Sequence, residues 1–536
     1  MKATSTTCIF KAAKRVAMAL TMSPLVFASC NNDGGNPNKD ITIEAFKPYY
    51  NDKYVFDVDA IKQQLKLIVK NDNDSTQTDK RVRKMYRNDF QPIWVDRHGI
   101  DGRADTLLTF LHGIGEIGLS EDAFYVEKIE DDIKRLRELD FEGEENGINR
   151  LVARLEYRLT KAYLRYCTGQ QYGFTNPYSA LNSLDLVDED STLKVKEYRQ
   201  LFDIPISRPD EKFFKHAIDI AKTDSIGVFL RQTMPHDTSL NELKAQLKLA
   251  DTNKKWWLVL CNMERHRWRR TFQPADPYGR KVVVNIPSFR LYAYGPDSVM
   301  TMKVGCGATK TKTPLLTSAI NRMDVNPLWN IPMSIIRNDV AKHAGDTHYF
   351  TSRRYFIVDK NTGKTVSPNN VTPAMLKSGQ YRVSQEGGEG NSLGRIIFRF
   401  DNKFSVYLHD TSSRRFFDQS IRSVSHGCIR IERPFDFAKY LLGENVDSWT
   451  LDKIRIAMDI TPETEKGLRY VSDTTRTRKL INSKKIDPQV PLFIIYQTMF
   501  KTPEGRWEEY ADIYGYDGVM KRQLAPFVSK KRRSKK

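Results

Sequence analysis

At 536 residues the chain is too long for one ordinary hydrophobic core, so two or three domains are expected. Its 40% hydrophobic and 11% aromatic content excludes a disordered chain. A formal charge of +19 suits an acidic or polyanionic partner; with no Cys/His finger spacing, basic zipper or RNP-like aromatic motif beside it, nucleic acid is not expected, and an anionic wall polymer or a membrane surface is.

The first thirty residues place Lys2, Lys11, Lys14 and Arg15 ahead of an apolar run from Val16 to Phe27, closed by Ala28-Ser29 and then Cys30. Basic, apolar, then small is the order of an export signal, and the run is short for a membrane span. The end of this stretch resembles a bacterial lipoprotein signal, which implies lipidation of Cys30, with Phe27 where that motif usually has Leu. Residues 1–29 are therefore expected to be a signal peptide and 30–45, with "NNDGGNPNKD", a flexible tether. The mature protein is expected to be exported to the periplasm, touching the membrane only through this anchor.

From 46 to 272 apolar residues recur at helical spacing. Ile61, Leu65 and Ile68 share one face, as do Leu107, Leu108 and Leu111; Leu151, Leu155, Leu159 and Tyr163 follow at i, i+4 steps. This predicts a helical domain, ending in "WWLVLCNMERHRWRR". From 278 to 525 the pattern turns to short β-branched and aromatic runs broken by Gly, Pro and Asn, which predicts a mainly β domain. A polar stretch over 336–380 is too long for a simple loop and is expected to be an inserted subdomain or lid. "PFDFAKYLLG", with Pro434 at its start and Gly443 past its end, predicts a short helix. Residues 526–536 are expected to be a basic tail, its end "KKRRSKK" from Lys530 solvated, with binding to a surface as the second reading. The fold class is α+β.

Beyond Cys8 and Cys30, four cysteines remain, with no CxxC pair and no disulfide framework. Cys167 and Cys261 sit in apolar runs and are expected in cores, Cys306 in a glycine-flanked turn. Cys428 differs, because it follows Ser425-His426-Gly427. A cysteine nucleophile needs a base or an electropositive setting. His426 lies two residues before it, and His409, nineteen residues upstream at a strand end, is far enough away for the chain to return beside it. Gly427 can adopt backbone angles that aim N–H groups at one oxyanion. Arg430, two beyond Cys428, can grip a carboxylate. A zinc site built from His409, His426, Cys428 and His343 or His348 also fits the residue types, as does a structural cysteine, but neither gives Gly427 and Arg430 a role.

The stretch "YLHDTSSRRFFDQSIRSVSHGCIRIERPFDFAKYLL" resembles the active-site segment of the L,D-transpeptidases, YkuD-type enzymes that cross-link peptidoglycan: a histidine, some fifteen residues, then Ser/Thr-His-Gly-Cys and Arg or Asn two further on. "VNIPSFRLYAYG", "KTKTPLL", "NPLWNIPMSI" and "NSLGRIIFRF" resemble other landmarks of that domain. "MYRNDFQPIWVDRHG" and "NMERHRWRR" resemble the scaffold domain of the YcbB-like subgroup, in which 336–380 corresponds to a capping subdomain. No stretch resembles the small peptidoglycan-binding domain that many of that subgroup carry.

The resemblance implies acyl transfer on peptidoglycan stem peptides without metal or organic cofactor. Cys428 would be the nucleophile and His409 its base, with N–H groups around Gly427 and Cys428 as oxyanion donors, His426 and Asp410 in support, and Arg430, Tyr407 and Asn391 toward substrate. Strand packing is the competing role for Tyr407 and turn formation for Asn391. The implied product is a 3→3 cross-link. Transfer to water would make the protein an L,D-carboxypeptidase, transfer to a protein lysine an anchoring enzyme, and loss of activity a wall-binding protein on the same fold.

Overall fold

The computed structural model describes residues 50–534, apart from 52–53, 56, 89–90, 97–98, 191–194, 476 and 478. The expected signal peptide and tether, with Cys30, and the last two residues of the chain lie outside the described residues.

The N-terminal half is helical because its apolar residues repeat at 3.6 and its helices are capped. Asp57 caps Val58–Asn71, Asp101 caps Gly102–His112 and Thr252 caps Asn253–Arg267, each side chain accepting from first-turn N–H groups. The axis of this half is the helix Ile148–Tyr172, which presents Leu151, Leu155, Leu159 and Tyr163 to the core. It is wrapped on nearly every side, so polar groups are buried with it. Glu156 is fully buried and accepts hydrogen bonds from the N–H groups of Ile93, Trp94 and Val95 and from the Tyr86 hydroxyl. One turn later, Lys161 bonds Asp72 and Asp74 at 2.7 and 2.8 Å, and Arg165 bonds Asp79 at 2.7 Å.

The C-terminal half is built on a ten-stranded sheet. Its strands are β1 (Lys281–Asn285), β2 (Arg290–Tyr294), β3 (Val299–Gly307), β4 (Leu315–Val325), β5 (Ile396–Phe400), β6 (Leu408–His409), β7 (Ser423–Ser425), β8 (Ile429–Ile431) and β9 (Ser483–Ile495), with Phe202–Asp203 added from the helical half. Their order is β5-β6-β8-β3-β2-β1-β9-β4, and pairing of β4 with β5 closes the path into a barrel. Alternation sends Val282, Val284, Val304, Phe398, Leu408, Ile429, Leu492 and Ile494 into one core. The helix Pro434–Leu442 adds Phe437, whose ring meets Phe398 at 4.8 Å between centroids.

The insertion is a folded unit wider than 336–380. Trp329–Asn330 pairs with Tyr381–Gln385, which continues through Tyr355–Asp359 to Thr365–Val366 in a four-stranded sheet. It has its own core around Ile336, Phe350, Ile357, Leu376 and Val383. Its neck is the first of these strand pairs, so its boundary falls at Trp329 and Gln385.

One further expectation is corrected. Cys306 lies within β3, fully buried, and not in a turn. Toward the C-terminus, Phe527 and Val528 are buried in the helical core and Phe527 O accepts from Ser120 N–H at 2.8 Å; beyond them Lys530, Lys531 and Arg533 are exposed, and Arg532 lies over the Trp256 ring. No helix among the described residues is long and apolar enough to cross a membrane.

Candidate active site

β6 and β8 run parallel side by side, with Leu408 opposite Ile429 and His409 opposite Arg430. Leu408, Ile429 and Ile431 point into the barrel, so Tyr407, His409, Cys428 and Arg430 fall on the opposite face. The eighteen residues between His409 and Cys428 leave the sheet and return along β7, which pairs with β3 next to Cys306 and Gly307. Arg422 holds that return: its guanidinium donates to the carbonyls of Val304, Phe289 and Gln419.

The turn carrying the cysteine is shaped by three hydroxyls. Ser425 Oγ accepts from Gly427 N–H at 3.1 Å and donates to Cys428 O at 2.5 Å. Thr311 donates to Ser425 O, and Thr313 donates to Gly427 O, both at 2.8 Å. Gly427 has φ of +123°, a conformation L side chains rarely adopt, so the turn requires glycine. Its N–H is committed to Ser425, which corrects the expectation that it is an oxyanion donor. Cys428 N–H has no such partner among the described residues and is the donor left at this turn.

His409 is buried, and its Nδ1 lies 2.5 Å from Asp410 O. A carbonyl only accepts, so Nδ1 carries the proton and the neutral ring keeps its lone pair on Nε2. Burial, reinforced by the Arg430 charge, lowers its pKa to about 4, against the pull of the Asp410 and Leu393 carbonyls. Cys428 is half-buried, its sulfur 4.0 Å from Ser405 O. Burial pushes its thiol up to about 11, while hydrogen bonding from Tyr407 and the Arg430 charge work the other way. Both groups therefore rest neutral near pH 7. They form no direct hydrogen bond; Tyr407 lies beside both, its ring 5.8 Å from the His409 ring between centroids and its side chain near enough to Cys428 to lower the thiol's pKa.

The other expected residues separate. Asp410 bonds Arg395 N–H at 2.9 Å and Arg414 at 3.0 Å, and its carboxyl fills the space a side chain at Gly394 would take. It thus fixes the 391–395 loop over His409 and does not reach the ring nitrogens. Asn391 is a correction: it is buried, donates to Pro327 O and Glu386 O and accepts from Leu393 N–H, so its amide is consumed by the turn and is not offered to substrate. His426 is exposed beside the turn. Arg430 lies over the Phe416 ring at 5.5 Å, and its Nε is buried without a partner. His343 stacks on Tyr349 in the insertion, and no group of three His, Cys, Asp or Glu gathers for a metal among the described residues.

Sequence reasoning did not single out Thr311, Thr313, Ser405 or Trp329. Ser405 has φ of +55° next to the thiol, in a turn pinned by four hydrogen bonds of the Asn402 amide. The Trp329 side chain, at the neck of the insertion, lies near Tyr407 and works to lower its pKa against the burial that raises it. Thr311, Thr313 and Trp329 fall within "KTKTPLL" and "NPLWNIPMSI", stretches already notable for their resemblance, and that was the available signal.

Comparison with known proteins agrees with this division. Residues 80–247 match the Scaffold domain model, and residues 279–456 match the YkuD model, the L,D-transpeptidase catalytic domain. A Haemophilus influenzae protein described as "Putative L,D-transpeptidase" is 32% identical over 239 residues, 44% of each chain, so less than half of that relative's length is spanned. The crystal structure of Mycobacterium tuberculosis L,D-transpeptidase 1 matches 40% of this chain and 60% of its own at 14% identity, with a TM-score of 0.15.

Proposed function

Because the chain carries a YkuD-type L,D-transpeptidase catalytic domain behind a scaffold domain, consistent with the YcbB-like subgroup, we propose that it forms 3→3 cross-links in peptidoglycan through a thioester on Cys428. The observation that carries this reading is a half-buried thiol sharing one face with a neutral imidazole whose tautomer is fixed by a backbone carbonyl. Neither group is ionised at rest, so the proton leaves sulfur for His409 Nε2 only as the bond to carbon forms. Sulfur attacks the carbonyl at the L-centre of the third stem residue, and the oxyanion is met by Cys428 N–H. The C–N bond then breaks, His409 returns the proton to the leaving amine, and D-Ala departs. The side-chain amine of a second stem's diaminopimelate attacks the thioester, forming the new amide and returning the proton to sulfur.

Export and a lipid at Cys30 would put the enzyme in the periplasm, beside this substrate. The test is mass spectrometry of products from defined tetrapeptide muropeptides. A dimer lacking one D-Ala is expected. Tripeptide alone would make the acceptor water, and no turnover would overturn the reading.

A further inference from the structure

A cleft of about 330 Å³ opens beside the 405–407 turn, lined by Asn321, Arg322, Arg399, Asn402, Ser405 and Tyr407 among others. Two of these residues stand where sheet physics disfavours them. Arg322 on β4 and Arg399 on β5 are direct cross-strand partners, and like charges opposite one another cost stability. A single carboxylate lies between them: Asp324 forms an ion pair with Arg322 Nε at 2.9 Å and accepts a hydrogen bond from Arg399 Nε, and Ser483 donates to Asp324 at 3.0 Å. Two guanidinium groups share that one carboxylate, and the acid lining the cleft, Asp401, is ion-paired with neither of them. Their terminal nitrogens, the donors suited to a planar anion, have no protein partner among the described residues.

The placement relative to the thiol is equally specific. The register between β4 and β5 shifts at Asn321, between Ile320 and Arg322, and such bulges re-aim side chains beside functional sites. The side chain of Asn321 reaches Asp401, the one carboxylate lining the cleft, at 3.2 Å. Arg399 lies 5.7 Å from the centre of the Tyr407 ring, and Tyr407 in turn contacts Cys428. Ser405, whose carbonyl is 4.0 Å from the Cys428 sulfur, forms part of the wall.

We infer that Arg322 and Arg399, set opposite each other over Asp324, form a carboxylate-binding subsite that positions the acyl donor by a free carboxylate flanking its reacting carbonyl. This rests on the transpeptidase reading above and assigns the ligand chemistry of the cleft next to the nucleophile. A tetrapeptide stem has a free carboxylate on its D-Ala terminus and another on the diaminopimelate side chain; the subsite takes the latter, so an enzyme with this subsite discriminates against stems amidated there.

The test compares two tetrapeptides, one with that carboxyl free and one with it amidated, by the rate at which each acylates Cys428 in the full-length protein. The wild type should prefer the free acid about tenfold or more, the size expected of a charge-assisted hydrogen-bonded pair. Arg322→Gln and Arg399→Gln should slow the free acid by a similar factor more than they slow the amidated peptide, so that the preference is lost, with an unchanged melting temperature reporting that the variants fold. Equal slowing of both peptides, or no slowing of either, overturns the subsite while the transpeptidase reading stands. Absence of acylation of the wild type by both peptides overturns the transpeptidase reading and the subsite with it.

Discussion

The helical half and the outer face of the barrel use the same charged residues in opposite ways. Around the helix Ile148–Tyr172, Lys161, Arg165 and Arg83 meet Asp72, Asp74 and Asp79, cation for carboxylate. On the barrel, Arg322 and Arg399 share Asp324, and Arg430 has no carboxylate partner among the described residues. Buried charge that is fully matched holds one conformation. Charge left over beside a thiol has a stabilising cost and a use only when substrate arrives. The contrast separates a half that carries structure from a face that carries chemistry.

The comparison can be broken from either side. The largest effect is expected at His409→Ala, which should lower turnover about a hundredfold or more, the usual worth of a positioned base, while the melting temperature stays near wild type. With its pKa lowered to about 4, His409 is unprotonated and competent above that pH. The acid limb of kcat/KM should therefore fall near pH 4 and not near the ordinary histidine value of about 6.5. A limb near 6.5 would contradict the assignment of His409 as the base. The converse is Glu156→Ala in the helical half, which strands the N–H groups of Ile93, Trp94 and Val95. It should cost about 3 kcal/mol in a denaturant titration and leave kcat unchanged where the protein is folded. Loss of turnover without loss of stability there would erase the division.

Much of this organisation was legible in the sequence. The change from helical to alternating spacing near residue 280 gave the α+β class, because the two halves bury one-sided faces of different period. The spacing of His409 and Cys428 allowed the chain to return, and it does so along neighbouring strands. What escaped was set by register and by small polar groups. Glycines on either side of Cys306 suggested a turn, but Gly305 makes room for the Phe416 ring and Gly307 for the 311–313 backbone, all within one strand. The use of Gly427 N–H depends on where the Ser425 hydroxyl lies, which no spacing reveals. Asn391 looked like a pocket residue until its amide was found spent on backbone. The arginine pair depends on how β4 and β5 align past Asn321, a long-range register that local pattern does not specify.

The central claim is that Cys428 is the one cysteine of the described chain used in chemistry. Cys167 and Cys306 are fully buried, their thiols pushed up to about 12 by burial, and Cys261 is buried too and raised likewise. Intact-protein and peptide-level mass spectrometry after brief exposure to a tetrapeptide stem tests it most directly. The account predicts an adduct equal to the stem less D-Ala, confined to the peptide containing Cys428 and absent from Cys428→Ala, which should fold as the wild type does. An adduct that survives in Cys428→Ala, or that maps to another residue, would contradict it.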